Sequence, residues 1–182
     1  MDAGQGAYFD RADIRHCIER LARGEDRRDA DLIRASWWPD ATYDYGVQNG
    51  SFDEYLAWVV PGSDAIANTQ HVLGQSYIEL SGDSAKVETH VVSYHRVDYG
   101  GGDEHDTCIG GRYLDVMARR TDGYGDPQWR IASRVMLYDW FQDWGASADW
   151  SNGVMGLPFT REIFPGRATG DHSETFFTKV VP

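Results

Sequence analysis

Asp26 and His71 are the pair in this chain best suited to moving a proton. Asp26 closes Gly24-Glu25-Asp26 at the end of an amphipathic segment. His71 closes Asn68-Thr69-Gln70-His71, where an apolar-periodic stretch gives way to strand-like alternation. A carboxylate set against one imidazole nitrogen fixes the tautomer and leaves the other nitrogen as a base usable near pH 7. A helical hairpin carrying Asp26 and a sheet carrying His71 would form the two halves of an Asp–His general base.

Alternation along residues 85–97 supplies further candidates. Ala85, Val87, Thr89, Val91, Ser93 and His95 share one face, and Lys86, Glu88, His90, Val92 and Tyr94 share the other. The first set is small and apolar with an imidazole at its end, as a pocket wall should be. It places His95, Thr89, Val91 and Ser93 toward a cavity and His90 toward solvent. Tyr45 and Tyr43 share a face of an earlier strand; the Tyr45 hydroxyl either meets a substrate oxygen or is a core phenol with its own partner. Arg134, with Arg130, Ala132 and Met136 on the last long strand, is a salt-bridged or a functional arginine.

Other chemistries lack their signatures. His90 and His95 point to opposite sides of one strand, and His105 and Cys108 show no zinc spacing. Gly110-Gly111 marks a bulge or close approach; with no helix after it, it is no phosphate loop. No nucleophile-elbow, Walker or dinucleotide motif occurs. No metal or cofactor is expected.

The elements that would position these groups read as helices first and strands afterwards. Ile14, Cys17, Ile18 and Leu21 form one apolar stripe, with Asp10 as a cap and Gly24 as the residue just past the end. A short helix over 29–36 stops before Pro39, and residues 41–47 alternate as a strand. Ser51-Phe52-Asp53-Glu54 is a capping box opening a helix that ends by Pro61. Strands follow at 75–80, 85–97, 107–120 and 128–140. This order predicts an α+β fold, three or four helices on one face of a strongly bent sheet whose open end is a pocket. One domain over 8–140 and an ordered aromatic extension over 141–182, covering the pocket or a neighbouring subunit, are expected.

Composition narrows the partners. A net charge of −12 over 182 residues disfavours nucleic acid and anionic membranes. The 7 Trp, 10 Tyr and 7 Phe suit a core, a subunit contact or a pocket for a flat apolar ligand. Two cysteines give no disulfide framework. The opening Met1-Asp2-Ala3-Gly4-Gln5-Gly6 lacks the basic start and apolar run of a signal peptide, so a cytoplasmic protein is expected.

These residues resemble the SnoaL-like branch of the nuclear transport factor 2-like superfamily over roughly 8–140. Gly24-Glu25-Asp26 with Trp37-Trp38-Pro39-Asp40-Ala41 is similar to segments of hexachlorocyclohexane dehydrochlorinase. Thr69-Gln70-His71 with Gly74 is similar to the catalytic-histidine segment of scytalone dehydratase. Tyr45, His95 and Arg134 fall on active-site positions of one or the other. Leu21 departs from a lysine of the dehydrochlorinase, and Glu25 from a tyrosine of the dehydratase. The resemblance implies an α+β cone, a homo-oligomer with a trimer favoured, and elimination of water from a hydrophobic aromatic or polycyclic carbonyl compound. His71 would be the base, Asp26 its positioner, Tyr45 and His95 polarising groups, and Arg134 a group near the leaving atom. Isomerisation or cyclisation by the same base, or a non-catalytic subunit of a ring-hydroxylating dioxygenase, are the alternatives.

Overall fold

A computed structural model describes residues 3–60, 62, 65–121 and 125–177. Three N-terminal helices, α1 (Ala3–Arg27), α2 (Ala30–Arg34) and α3 (Phe52–Val59), pack on one face of a curved six-stranded mixed sheet. The strands are β1 (Trp37–Asp44), β2 (Asn49–Ser51), β3 (Ile66–Ser81), β4 (Ser84–Asp98), β5 (Glu104–Arg120) and β6 (Gln128–Ala146). Their order across the sheet is β2-β1-β6-β5-β4-β3, with β1 and β6 parallel and the other neighbours antiparallel. The expected α+β architecture is the one observed, and the sheet does not close into a barrel.

The core lies between α1 and the concave face. Ile14, Cys17, Ile18 and Leu21 are buried, as their spacing predicts, against Trp37, Met117 and Ile131. The boundaries of α1 differ from expectation, for physical reasons. Asp10 lies inside the helix and accepts from Arg119 and the Trp129 indole, so a tertiary partner replaces the cap. Gly24 is helical because Ile33 crosses there; a Cβ would sit 2.9 Å from Ile33 Cγ1. The turn comes at Arg28 (φ 51), where Asp29 N–H reaches Gly24 C=O at 2.8 Å in a Schellman closure. The helix therefore carries Glu25 and Asp26 in its last turn.

The remaining elements follow their local signals. Asp29 caps α2, and the Ser51–Glu54 capping box opens α3. Pro61, the expected stop, lies outside the described residues. Trp37, Trp38 and Pro39 belong to β1, where the register with β6 shifts before Thr42. β3 begins before the expected 75, so His71 is in mid-strand. Gly110-Gly111 is a bulge against β6: a Cβ on Gly110 would be 2.0 Å from the Trp140 ring, and one on Gly111 2.1 Å from Leu137 O. β3 forms one edge of the sheet, and Arg15 of α1 donates there to Gly74 O and Ser76 Oγ, each at 2.8 Å.

β6 runs past 140, and beyond it come a hairpin, β7 (Gly153–Val154) with β8 (Leu157–Pro158), and a short α4 (His172–Phe176). The extension is tied down. Arg27 pairs with Asp171 at 3.6 Å, Arg96 donates to Ala148 O at 3.0 Å, and Ser147 Oγ donates to Asp106 at 2.7 Å. Trp144, Phe164, Phe176 and Phe177 nevertheless stay exposed.

Arg134 and Asp115, opposite each other on β6 and β5, form the deepest charge pair; Nε–Oδ1 is 2.7 Å and Nη2–Oδ2 2.8 Å. Both are nearly inaccessible. Asp115→Ala should destabilise the fold by about 3–5 kcal/mol by stranding a buried guanidinium. Urea unfolding checks this. Asp115→Leu combined with Arg134→Met should recover much of the loss; a double variant no more stable than Asp115→Ala would refute the pairing account.

Candidate active site

The end of α1 lies against β3, and that contact builds the site. Asp26 Oδ1 is 2.7 Å from His71 Nδ1. The same carboxylate accepts the His71 backbone N–H, at 3.0 Å through Oδ1 and 3.1 Å through Oδ2. β3 is an edge strand, so this N–H has no ladder partner and the carboxylate supplies one. With an acceptor at Nδ1, the neutral ring keeps its proton there and turns an unprotonated Nε2 toward the cavity.

Strand register arranges the cavity wall. His71, Ser93, Ile109 and Phe141 are cross-strand neighbours on β3, β4, β5 and β6, and all four line one cavity of about 360 Å³. His95 and Thr107, opposite Thr69, form the next row, with Val97 near the end of β4 and Tyr99 just past it. Val47, Trp58, Val59, Ile66 and Met136 keep the enclosure apolar, as suits a small-molecule pocket. His90 faces away, 3.9 Å from Glu88, as alternation requires.

Burial and charge set the titrations. Burial lowers the His71 pKa, but its hydrogen bond to Asp26 and the charges of Glu25 and Asp26 outweigh that, and the net value lies above 6.5. His95, edge-on to His71 at 6.0 Å between ring centres, is pushed down to about 4 by burial and then by the charge on His71. It is neutral at pH 7 and offers one donor and one acceptor. The Tyr45 phenol is raised by burial and by Glu25, so it stays protonated; its Oη is buried beside Arg134 and Tyr55 without a well-formed hydrogen bond among the described residues. Thr69 Oγ1 is likewise buried on the wall, with no hydrogen-bond partner among the described residues.

Of the residues singled out in the sequence, His71, His95, Tyr45 and Ser93 line the cavity, and Asp26 backs His71. The others lie one or more rows deeper. Thr89 pairs with Ser76 at 2.8 Å, and Val91 packs on Tyr113 and Met136. Tyr43 is stacked on Trp58 and meets Tyr55 edge-on. Arg134, expected near a leaving group, is cross-strand to both Tyr43 and Asp115; its guanidinium is committed to Asp115 and lies 3.9 Å from the Tyr113 ring centre. These four share the concave face with the site but are not in its lining.

Glu25, Tyr55 and Arg28 do line it and were not singled out. Glu25 is only 8 % exposed, accepts a short hydrogen bond from Tyr55, and has Oε2 3.8 Å from His71 Nε2. The signal for it was present: once α1 continues through Gly24, residues 25 and 26 sit about 100° apart on one turn. One therefore faces the cavity and the other the β3 backbone.

This architecture has solved counterparts. A hexachlorocyclohexane dehydrochlorinase from Novosphingobium barchaimii is 18 % identical with a TM-score of 0.67, covering 87 % of this chain and 99 % of its own. A protein assigned as a scytalone dehydratase from Novosphingobium aromaticivorans is 17 % identical with a TM-score of 0.65, covering 86 % and 99 %. The Kfla4162 protein of Kribbella flavida is 22 % identical with a TM-score of 0.65, covering 75 % and 95 %. No curated protein matches the chain. The profile of the SnoaL-like domain matches residues 8–135, from the first helix to the last long strand, and the chain belongs to that family.

Proposed function

We propose that this protein is a cofactor-independent lyase that removes water from a hydroxylated, carbonyl-bearing cyclic compound. The observation that carries the proposal is the Asp26 carboxylate holding His71 by ring and backbone together, with Nε2 directed into an apolar cavity. His71 Nε2 takes the proton α to the carbonyl, and the electron pair moves into the new double bond as the hydroxyl leaves. Asp26 keeps the tautomer and stabilises the imidazolium. Tyr45 and neutral His95 supply hydrogen bonds to the carbonyl or the departing oxygen, a contribution of roughly 10²–10⁴-fold for general acid–base groups of this kind. The buried wall hydroxyls of Tyr45 and Thr69, which lack a well-formed hydrogen bond among the described residues, favour an oxygenated substrate over a hydrocarbon.

His71→Ala should abolish elimination on cyclic β-hydroxy-ketones, with Asp26→Asn costing nearly as much. Tyr45→Phe should cost less, because the base survives. A competent substrate turned over at the wild-type rate by His71→Ala would refute the mechanism.

The base must be neutral, so kcat/KM should rise with pH through a midpoint above 6.5 and fall below it as His71 protonates. A nuclear magnetic resonance titration of the histidines should show that midpoint for His71 and a value near 4 for His95. Because residue 95 binds its proton only in the unfolded chain between pH 6.5 and about 4, stability should drop as pH falls through that window. His71 acts in the opposite sense: its contribution is complete below 6.5 and is lost as pH rises through the raised native value.

The working unit in this proposal is a homo-oligomer, a trimer for preference. Val72, Val92, Gly110 and Trp140 are cross-strand neighbours on the outer face, with Val116 and Val135 also exposed there. That apolar area is large for a lone chain. Light scattering should give a multiple of 20.5 kDa at micromolar concentration; a 20.5 kDa mass would refute it.

A further inference from the structure

Arg28 is out of place by two ordinary criteria. It occupies a left-handed backbone conformation (φ 51) at the position after a helix where glycine is usual. It also has no carboxylate partner among the described residues, although the chain carries 29 acidic and only 17 basic groups. Its neighbour Arg27 pairs with Asp171, whereas Arg20 donates to Ser36 Oγ and Ala35 O and Arg23 lies over the Phe177 ring. Unfavourable local conformations of this kind persist where surrounding structure enforces them, and they cluster at binding sites.

The side chain is aimed rather than loose. Arg28 Nη2 donates to Ile66 O at 2.5 Å, and the residue lines the same cavity as His71. Gly62 leaves room for it, since a Cβ there would fall 2.7 Å from the guanidinium carbon. With Nη2 anchored, the other donors of the fork remain for a ligand. Along β3, Ile66 and His71 are five residues apart, about 16 Å of strand. The cavity is therefore polarised. Glu25 stands beside the base at one end, and Arg28 stands by Ile66 at the other.

We propose that Arg28 is a carboxylate-binding subsite, so that the substrate is a multi-ring or chain-extended organic acid held with its carboxylate at Arg28 and its hydroxyl at His71. The assignment of the hydroxyl end rests on the lyase proposal; the carboxylate end does not. A planar guanidinium matches a carboxylate through two parallel hydrogen bonds, which a neutral ligand cannot make. Glu25 acts on orientation, because an acid bound the other way round would bring two carboxylates together.

The test uses binding, so it does not depend on knowing the substrate. Trp58 is on the cavity wall, and its fluorescence reports occupancy. The probes are 2-naphthoate and 2-acetylnaphthalene, equal in shape and different in charge. Wild-type protein should bind the naphthoate at least tenfold more tightly, with the preference shrinking at high salt. Arg28→Gln should bring the two affinities together, and Arg28→Lys should keep part of the preference, with the charge retained and the fork lost. Thermal unfolding of both variants controls for a merely structural latch to Ile66. Equal affinities in the wild type, or an unchanged preference in a folded Arg28→Gln, would overturn the subsite. His71→Ala should leave the preference intact, so failure to find any elimination would sink the lyase proposal alone.

Discussion

The structure turns on one carboxylate that performs two tasks at once. Asp26 satisfies the edge-strand amide of His71 and orients the imidazole of the same residue. A single side chain thus fixes the position of the backbone and the tautomer of the ring. Because Asp26 stands in the last turn of α1, the placement of the His71 ring is coupled to the helix docking over the sheet. Anything that moved the helix end would move both contacts together.

Beneath that contact the concave face is layered by register. The row through His71, Ser93, Ile109 and Phe141 meets the ligand space. Deeper, the row through Val87, Asp115, Arg134 and Tyr43 holds a compensated ion pair under aromatic rings. The Arg134 charge opposes the rise in the His71 pKa and offsets Glu25 at the Tyr45 phenol. The polar groups at the surface of the cavity and the ion pair under its floor are thus six residues apart along β4 and β5.

How much of this was legible in the sequence depended on the range of the interaction. Alternation in β4 sorted His95 from His90 correctly, because period-two geometry is local. The capping box of α3 and the Gly110-Gly111 bulge were likewise local signals and lie where they were read. Gly24 misled, since nothing in its neighbourhood reveals that Ile33 crosses over it; the same glycine that ends helices also permits close packing within one. Asp10 misled for the same reason, its partners being Arg119 and Trp129 far along the chain. Depth was the least legible quantity. Thr89, Val91, Tyr43 and Arg134 point inward as expected, yet only the pairing of strands decides which inward residue reaches the open space.

Arg15 carries one more consequence. Sixteen residues of β3 run along an open sheet edge, a template on which another chain's strand could grow. Arg15 reaches across from α1 to occupy the Gly74 carbonyl and the Ser76 hydroxyl, where the strand's pairing with β4 also breaks register. Further along, Asp26 closes the amide of His71 in the same manner. The residue that orients the His71 ring therefore doubles as an edge guard. A chain lacking that carboxylate would present a longer uninterrupted template, and its colloidal behaviour during synthesis and storage would suffer.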